Sequence, residues 1–146
     1  MIQKTMRPLK EAKYIRVFFI QANKNIGKLT KIVEIAHEYF EKKEPLLIKV
    51  PHQEAIEYVD LLLWRYPIES FIPHAVKDTS CDDLIVITSS GQNPNNARTI
   101  FNLTSDPIED EIFIRIYEFE GTSLPNKKKN DHYNIYKEKG YTVTLI

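Results

Sequence analysis

Only one cysteine, Cys81, occurs in the 146 residues. That excludes an internal disulfide and every zinc site built on several thiolates, and it fits a reduced, cytoplasmic setting. Net charge is also absent, because 20 Lys and Arg balance 20 Asp and Glu. A globally basic surface for nucleic acid or a membrane is therefore excluded, and any such contact must rest on a local patch. No apolar run approaches the ~20 residues of a membrane-spanning helix. The first residues lack the apolar core of a signal peptide, so a cytoplasmic location is expected. Glycine is scarce, at 4 residues, and no dinucleotide-binding glycine fingerprint is among them.

What is present is a globular mixture, 42% hydrophobic and 27% charged. The length suits one domain that buries roughly 70% of the surface of its unfolded chain. Residues 1–13 carry Lys4, Arg7, Pro8, Lys10 and Lys13 and are expected to form a flexible basic extension. The domain proper is expected over 14–146.

Short β-branched and aromatic runs alternate with helical patterns. "YIRVFFIQA" (14–22) reads as a strand buried on both faces. Leu29, Ile32, Val33, Ala36 and Phe40 then recur at helical spacing and predict a helix over about 26–43. "PLLIKV" (45–50) is a second strand, and Ile56, Val59, Leu62 and Leu63 predict a helix over 53–65, stopped by Pro67. "DLIVITSS" (83–90), "TIFNLT" (99–104) and "EIFIRIYEFE" (111–120) are further strands. A last helix is expected over about 124–139, with Ser123 as its N-cap and Gly140 just past its end, before the extended "YTVTLI". This order predicts a three-layer α/β domain, an open and mostly parallel sheet with helices on both faces.

Catalytic chemistry is not visible. "ANKNIGKLT" (22–30) lies where a phosphate-binding loop would, and Ala22, Gly27 and Lys28 nearly match its pattern. Leu29, however, replaces the hydroxyl that should bind magnesium, and one glycine is too few to wrap a backbone round phosphates. His37, His52, His74 and His132 are in no ligand spacing, so neither a metal nor another cofactor is expected. His37 falls on the charged side of its helix. Neighbouring carboxylates such as Asp82 and Asp83 point to opposite faces of a strand and make poor acid/base pairs.

Two stretches remain. "WRYPIESFIPH" (64–74) holds Trp64, Tyr66 and Phe71 in a segment that Pro67 and Pro73 keep out of helix and sheet. Trp64 should close its helix and anchor it to the core, since tryptophan is usually buried at least in part. Phe71 should face outward. The second stretch is "NKKKNDHYNIYKEKGY" (126–141), where Lys127, Lys128, Lys129, Lys137 and Lys139 interleave with Tyr133, Tyr136 and Tyr141. A basic, aromatic helix can grip an acidic peptide or stack on single-stranded nucleic acid.

The segment "EYVDLLLWRYPIESFIPHAV" (57–76) resembles the DNA polymerase III chi subunit family, in which a helix ends in Leu-Trp and Ser-Phe-(Val/Ile)-Pro-His follows. Those positions here are Leu63, Trp64, Ser70, Phe71, Ile72, Pro73 and His74. "HYNIYKEKGYTV" (132–143) is similar to the family's basic, tyrosine-containing last helix, at Tyr133, Tyr136, Lys137, Lys139, Gly140 and Tyr141. The match runs from about Tyr14 to Ile146, with 77–110 alike only in outline.

The resemblance implies a non-catalytic accessory subunit of the bacterial replicase. It would bridge the psi subunit of the clamp-loader assembly to the acidic C-terminal tail of single-stranded DNA-binding protein, with direct nucleic-acid contact weak or indirect. By the same resemblance Phe71 carries the psi contact, with Trp64 packed beneath it and Ser70, Pro73 and His74 beside it. Tail binding would involve Lys127, Lys128, Lys129, Asn130, His132, Tyr133 and Lys137, with Tyr133 and Phe119 lining the pocket for a terminal Phe. Family cations stand where this chain has Asn130, His132 and Asn134, which implies weaker binding or a shifted pose. The other readings are a nucleotide-binding enzyme using Gly27 and Lys28, and a direct single-stranded DNA-binding module.

Overall fold

In the computed structural model, residues 14–22, 24–65, 72–121 and 127–146 are described, without the side chains of Asn25 and of 127–130. The basic extension (1–13), Ser70, Phe71 and the expected cap Ser123 lie outside them. Strands β1 (Arg16–Ile20), β2 (Leu46–Lys49), β3 (Ala75–Val76), β4 (Ile85–Thr88), β5 (Thr99–Asn102), β6 (Arg115–Phe119) and β7 (Thr142–Leu145) form one sheet. Its order is β3-β4-β2-β5-β6-β1-β7, and every pairing is parallel. Helices α1 (Asn25–Lys42), α2 (Gln53–Arg65) and α3 (Lys127–Glu138) complete the described elements.

Alternation along the strands divides the core. Ile20, Ile48, Ile87, Phe101, Tyr117 and Phe119 face α1 and α2. Val17, Phe19, Leu47, Val86, Ile100 and Ile116 face the other way, towards Tyr136 of α3. Ala97, Ile108 and Phe113, from the loops after β4 and β5, are buried on that second face and widen the cover that α3 alone provides. The step from β1 through α1 to β2 runs towards the β3 edge, and the step from β6 through α3 to β7 runs the opposite way. Opposite steps over opposite faces have the same hand, as the preference for right-handed crossovers requires.

The helices follow their apolar stripes and stop for local reasons. Ile32, Val33, Ala36 and Tyr39 of α1 are buried, and the helix ends at Lys43, whose φ is 58°. There the N–H groups of Lys43 and Glu44 close back on the carbonyls of Phe40 and Tyr39. Gly140, at φ 85°, ends α3 in the same manner, with its N–H on Lys137 O and that of Tyr141 on Tyr136 O. A left-handed backbone costs an L-residue roughly 1–2 kcal/mol, so glycine suits this position.

Two elements differ from the expected pattern. The strand expected over 111–120 begins only at Arg115, because Asp110 makes a turn instead: its carboxylate accepts the Ile112 N–H at 3.0 Å. The turn lets Phe113 drop into the core. β3, only two residues long, had no visible signal, since its pairing with β4 is a tertiary event.

Candidate docking surfaces

At the end of α2, helical phase decides what faces inward. Ile56, Val59 and Leu63 recur at three- and four-residue intervals and are buried. Trp64 is one residue, or about 100°, further round the helix, and it is 51% exposed. The anchor expected of Trp64 is therefore supplied by Leu63, which is 0% exposed. Leu63→Ala should cost about 2–5 kcal/mol, whereas Trp64→Ala should change stability by no more than about 1 kcal/mol. Urea unfolding of both variants checks this, and equal losses would contradict it.

Trp64 is held rather than loose. Its indole N–H donates to Asp60 Oδ1 at 3.2 Å, one helical turn back. The same oxygen faces His74 Nε2 at 2.8 Å, and the His74 Nδ1 lies 2.7 Å from the Ile72 carbonyl. Both partners of the imidazole are acceptors, so either ring nitrogen that carries a proton has one to meet. The His74 ring packs 4.9 Å from that of Trp64. Ile72 is fully buried and ties the chain down just before β3, while Pro73 is exposed. Trp64, Pro73 and His74 are thus brought together; Ser70 and Phe71 fall outside the described residues. Asp60, which joins the cluster, was overlooked in the sequence, although its place four residues before Trp64 is a helical-spacing signal. Tyr58 and Leu61, both exposed on α2, extend the apolar surface.

The last helix presents a different picture. Tyr133 is half-buried against Phe19, and the Lys137 ammonium lies 5.1 Å from the centre of its ring. Lys139 stands similarly 5.9 Å from the ring of Tyr141. His132, placed at a family cation position, is 1% exposed. Its Nδ1 pairs with Glu118 Oε1 and its Nε2 with the Ser105 carbonyl, at 2.7 and 2.8 Å. It therefore clamps α3 to the sheet and offers no ring nitrogen to a partner. Glu118, 0% exposed on β6, also accepts from Asn102 Nδ2 at 3.1 Å and from the Tyr136 hydroxyl. Burial, and then the Glu118 charge, push the Tyr136 hydroxyl far above its ordinary value. It stays protonated when an unfolded tyrosine would ionise, so stability present below pH about 10 should be lost as pH rises further.

Phe119 follows Glu118 on β6 and so lies on the opposite face of the sheet from Tyr133. One pocket lined by both is excluded, because the sheet stands between them. Phe119 instead floors an apolar cavity of about 520 Å³ between α1 and α2, beneath the Lys28 ammonium at 5.8 Å. Gly27 and Lys28 sit in the first turn of α1, where the Lys28 N–H is closed by the Lys24 carbonyl at 3.1 Å. A Cβ on Gly27 would meet only Ala22 Cβ, at 3.8 Å. This is an ordinary helix start, with no need for glycine to bring a phosphate close to the backbone.

The family model of the DNA polymerase III chi subunit, HolC, matches residues 15–144. The chain belongs to the chi-subunit family. No curated protein sequence matches it. Membership makes this chi-family chain a replication accessory subunit associated with DNA polymerase III, and the fold agrees with the three-layer α/β architecture that the resemblance implied. No helix among its described residues is long and apolar enough to cross a membrane.

Proposed function

We propose that this chi-family chain is a non-catalytic bridge in the replicase, joining a psi subunit to the acidic C-terminal tail of single-stranded DNA-binding protein. The observation that carries the reading is the family match over 15–144, which includes both candidate segments. The psi side is Phe71 with Ser70, Trp64, Pro73 and His74, of which Trp64 and His74 are joined through Asp60. The tail side is α3, with Tyr133 and Lys137 on its outer face and Lys127, Lys128 and Lys129 in its first turn. His132 supports that face from within.

The separation of the two surfaces suits a bridge. The Trp64 platform adjoins β3, at one edge of the sheet, and α3 packs over β6 and β1 in the other half. Four to five strand spacings put the two surfaces roughly 19–24 Å apart across the sheet, and on opposite faces of it, which suits two partners bound at once.

A pull-down from the native cell extract tests the reading with two variants. Phe71→Ser should lose the psi partner and retain single-stranded DNA-binding protein. Lys127→Glu with Lys128→Glu and Lys129→Glu should do the reverse. Both variants losing the same partner, or neither losing one, would refute the two-surface bridge.

A further inference from the structure

The carboxyl end of β2 holds a feature that docking does not use. Register sets Lys49 between Thr88 of β4 and Asn102 of β5, on the α3 face of the sheet. Both neighbours are buried polar residues. Lys49 itself is half-buried and makes no ion pair among the described residues. Glu118, two strands away, lies roughly 10 Å off and is already occupied by Asn102, Tyr136 and His132.

The chain parts at this point. From β2 it runs to α2 on one face, while from β4 and β5 it runs into loops that bury Ala97, Ile108 and Phe113 on the other. Divergence of this kind opens a crevice beyond the strand ends, where doubly wound sheets take ligands. Here it is a cavity of about 380 Å³ with Lys49, Ser89, Ser90, Gly91, Thr104, Ser105 and Asp106 in its wall. Lys49, Ser90, Gly91 and Asp106 also line an adjoining cavity of about 410 Å³, which continues over Ile108 and Phe113. Lys49 is the single cation lining either cavity; Asp106 stands where the two meet, and Glu109 and Asp110 line the second alone.

We propose that this crevice binds a small phosphomonoester with neighbouring hydroxyl groups, its phosphate on Lys49 and the turn at 89–91. One ammonium with the hydroxyls of Ser89 and Ser105 matches one phosphate group, those of Ser90 and Thr104 being donated to Asp78 Oδ1 at 3.2 Å and Asn102 Oδ1 at 2.7 Å. Carboxylates in the second lobe accept hydrogen bonds from sugar hydroxyls and repel a polyphosphate or a nucleic-acid backbone. The apolar floor at Ile108 and Phe113 suits the face of a sugar or a base. Sugar phosphates and nucleoside monophosphates share this chemistry. The site is separate from Gly27 and Lys28 and does not depend on the docking reading.

Amide NMR titration of the full chain with inorganic phosphate, ribose 5-phosphate and adenosine monophosphate tests the site. Both esters should give saturable shifts at Lys49, residues 89–91 and Ser105, and both should bind more tightly than phosphate. Adenosine monophosphate binding above ribose 5-phosphate identifies a nucleotide; equal binding identifies a sugar phosphate. Lys49→Gln should weaken binding about tenfold or more, and Lys28→Gln should leave it unchanged. Gly91→Asp gives an independent arm, because a Cβ there meets nothing within 4 Å and the added carboxylate repels phosphate. Absence of saturable shifts at these residues at millimolar ester, phosphate binding as tightly as the esters, or retention of binding by Lys49→Gln or Gly91→Asp would overturn the proposal.

Discussion

Glu118→Ala is expected to lower the unfolding free energy by about 3–5 kcal/mol, the range for breaking a buried ion pair by removing one partner. That is a large part of the 5–15 kcal/mol typical of a whole domain. The loss has three sources. His132 Nδ1, Asn102 Nδ2 and the Tyr136 hydroxyl all pair with this carboxylate, and alanine leaves them buried without it. Glu118→Gln separates hydrogen bonding from charge. The glutamine oxygen can accept from Asn102 and Tyr136, so those two bonds have a counterpart and the contact with His132 is the one that changes. The expected loss is then only about 1 kcal/mol. Urea unfolding of both variants measures the difference, and a near-neutral Glu118→Ala would show that the network does not hold α3 in place.

The second large effect concerns the basic segment of α3. Reversing Lys127, Lys128 and Lys129 to Glu should weaken binding of an acidic peptide ending in Phe by about a hundredfold at low salt. Each such attraction, at a surface site, is worth up to roughly 1 kcal/mol. Changing its sign removes that and adds a comparable repulsion, so three sites together reach a few kcal/mol; about 1.4 kcal/mol is tenfold. Affinity of the unaltered chain should fall as salt is raised, because such contacts are screened. Calorimetric titration at two ionic strengths provides the check. Unchanged affinity in the triple variant would place the tail elsewhere, and no heat with the unaltered chain would remove tail binding from the proposed function.

His132 shows where a sequence-level comparison of charge fails. Position for position it stands at a family cation, which suggests a surface contact. Its neighbour in space is Glu118, fourteen residues earlier in the chain. The pair forms only because α3 crosses the carboxyl end of β6 and turns one side inward. Tyr133, next in sequence, is rotated by about 100° and retains an exposed part. Trp64 makes the same point in reverse: its residue type suggests burial, and helical phase places it outside.

The α/β class, the three helices and most strand positions were legible because they depend on short-range periodicity. Val17 and Phe19 against Phe18 and Ile20, or Leu47 against Leu46 and Ile48, show a strand buried on both sides through alternation alone. Gly140 marked a helix end because few residues tolerate φ 85°. The Leu-Trp and Ser-Phe-Ile-Pro-His positions carried the family. Only the tertiary structure decided strand order, and with it the contacts made across that order. It joined Asp60 to His74, closed Glu118 with His132 and Tyr136, put Phe119 on the far side of the sheet from Tyr133, and left Lys49 without an ionic partner among the described residues. The physical reason is range: a helical or strand period is written within about eight residues, whereas these pairings require separate segments to be packed before their side chains meet.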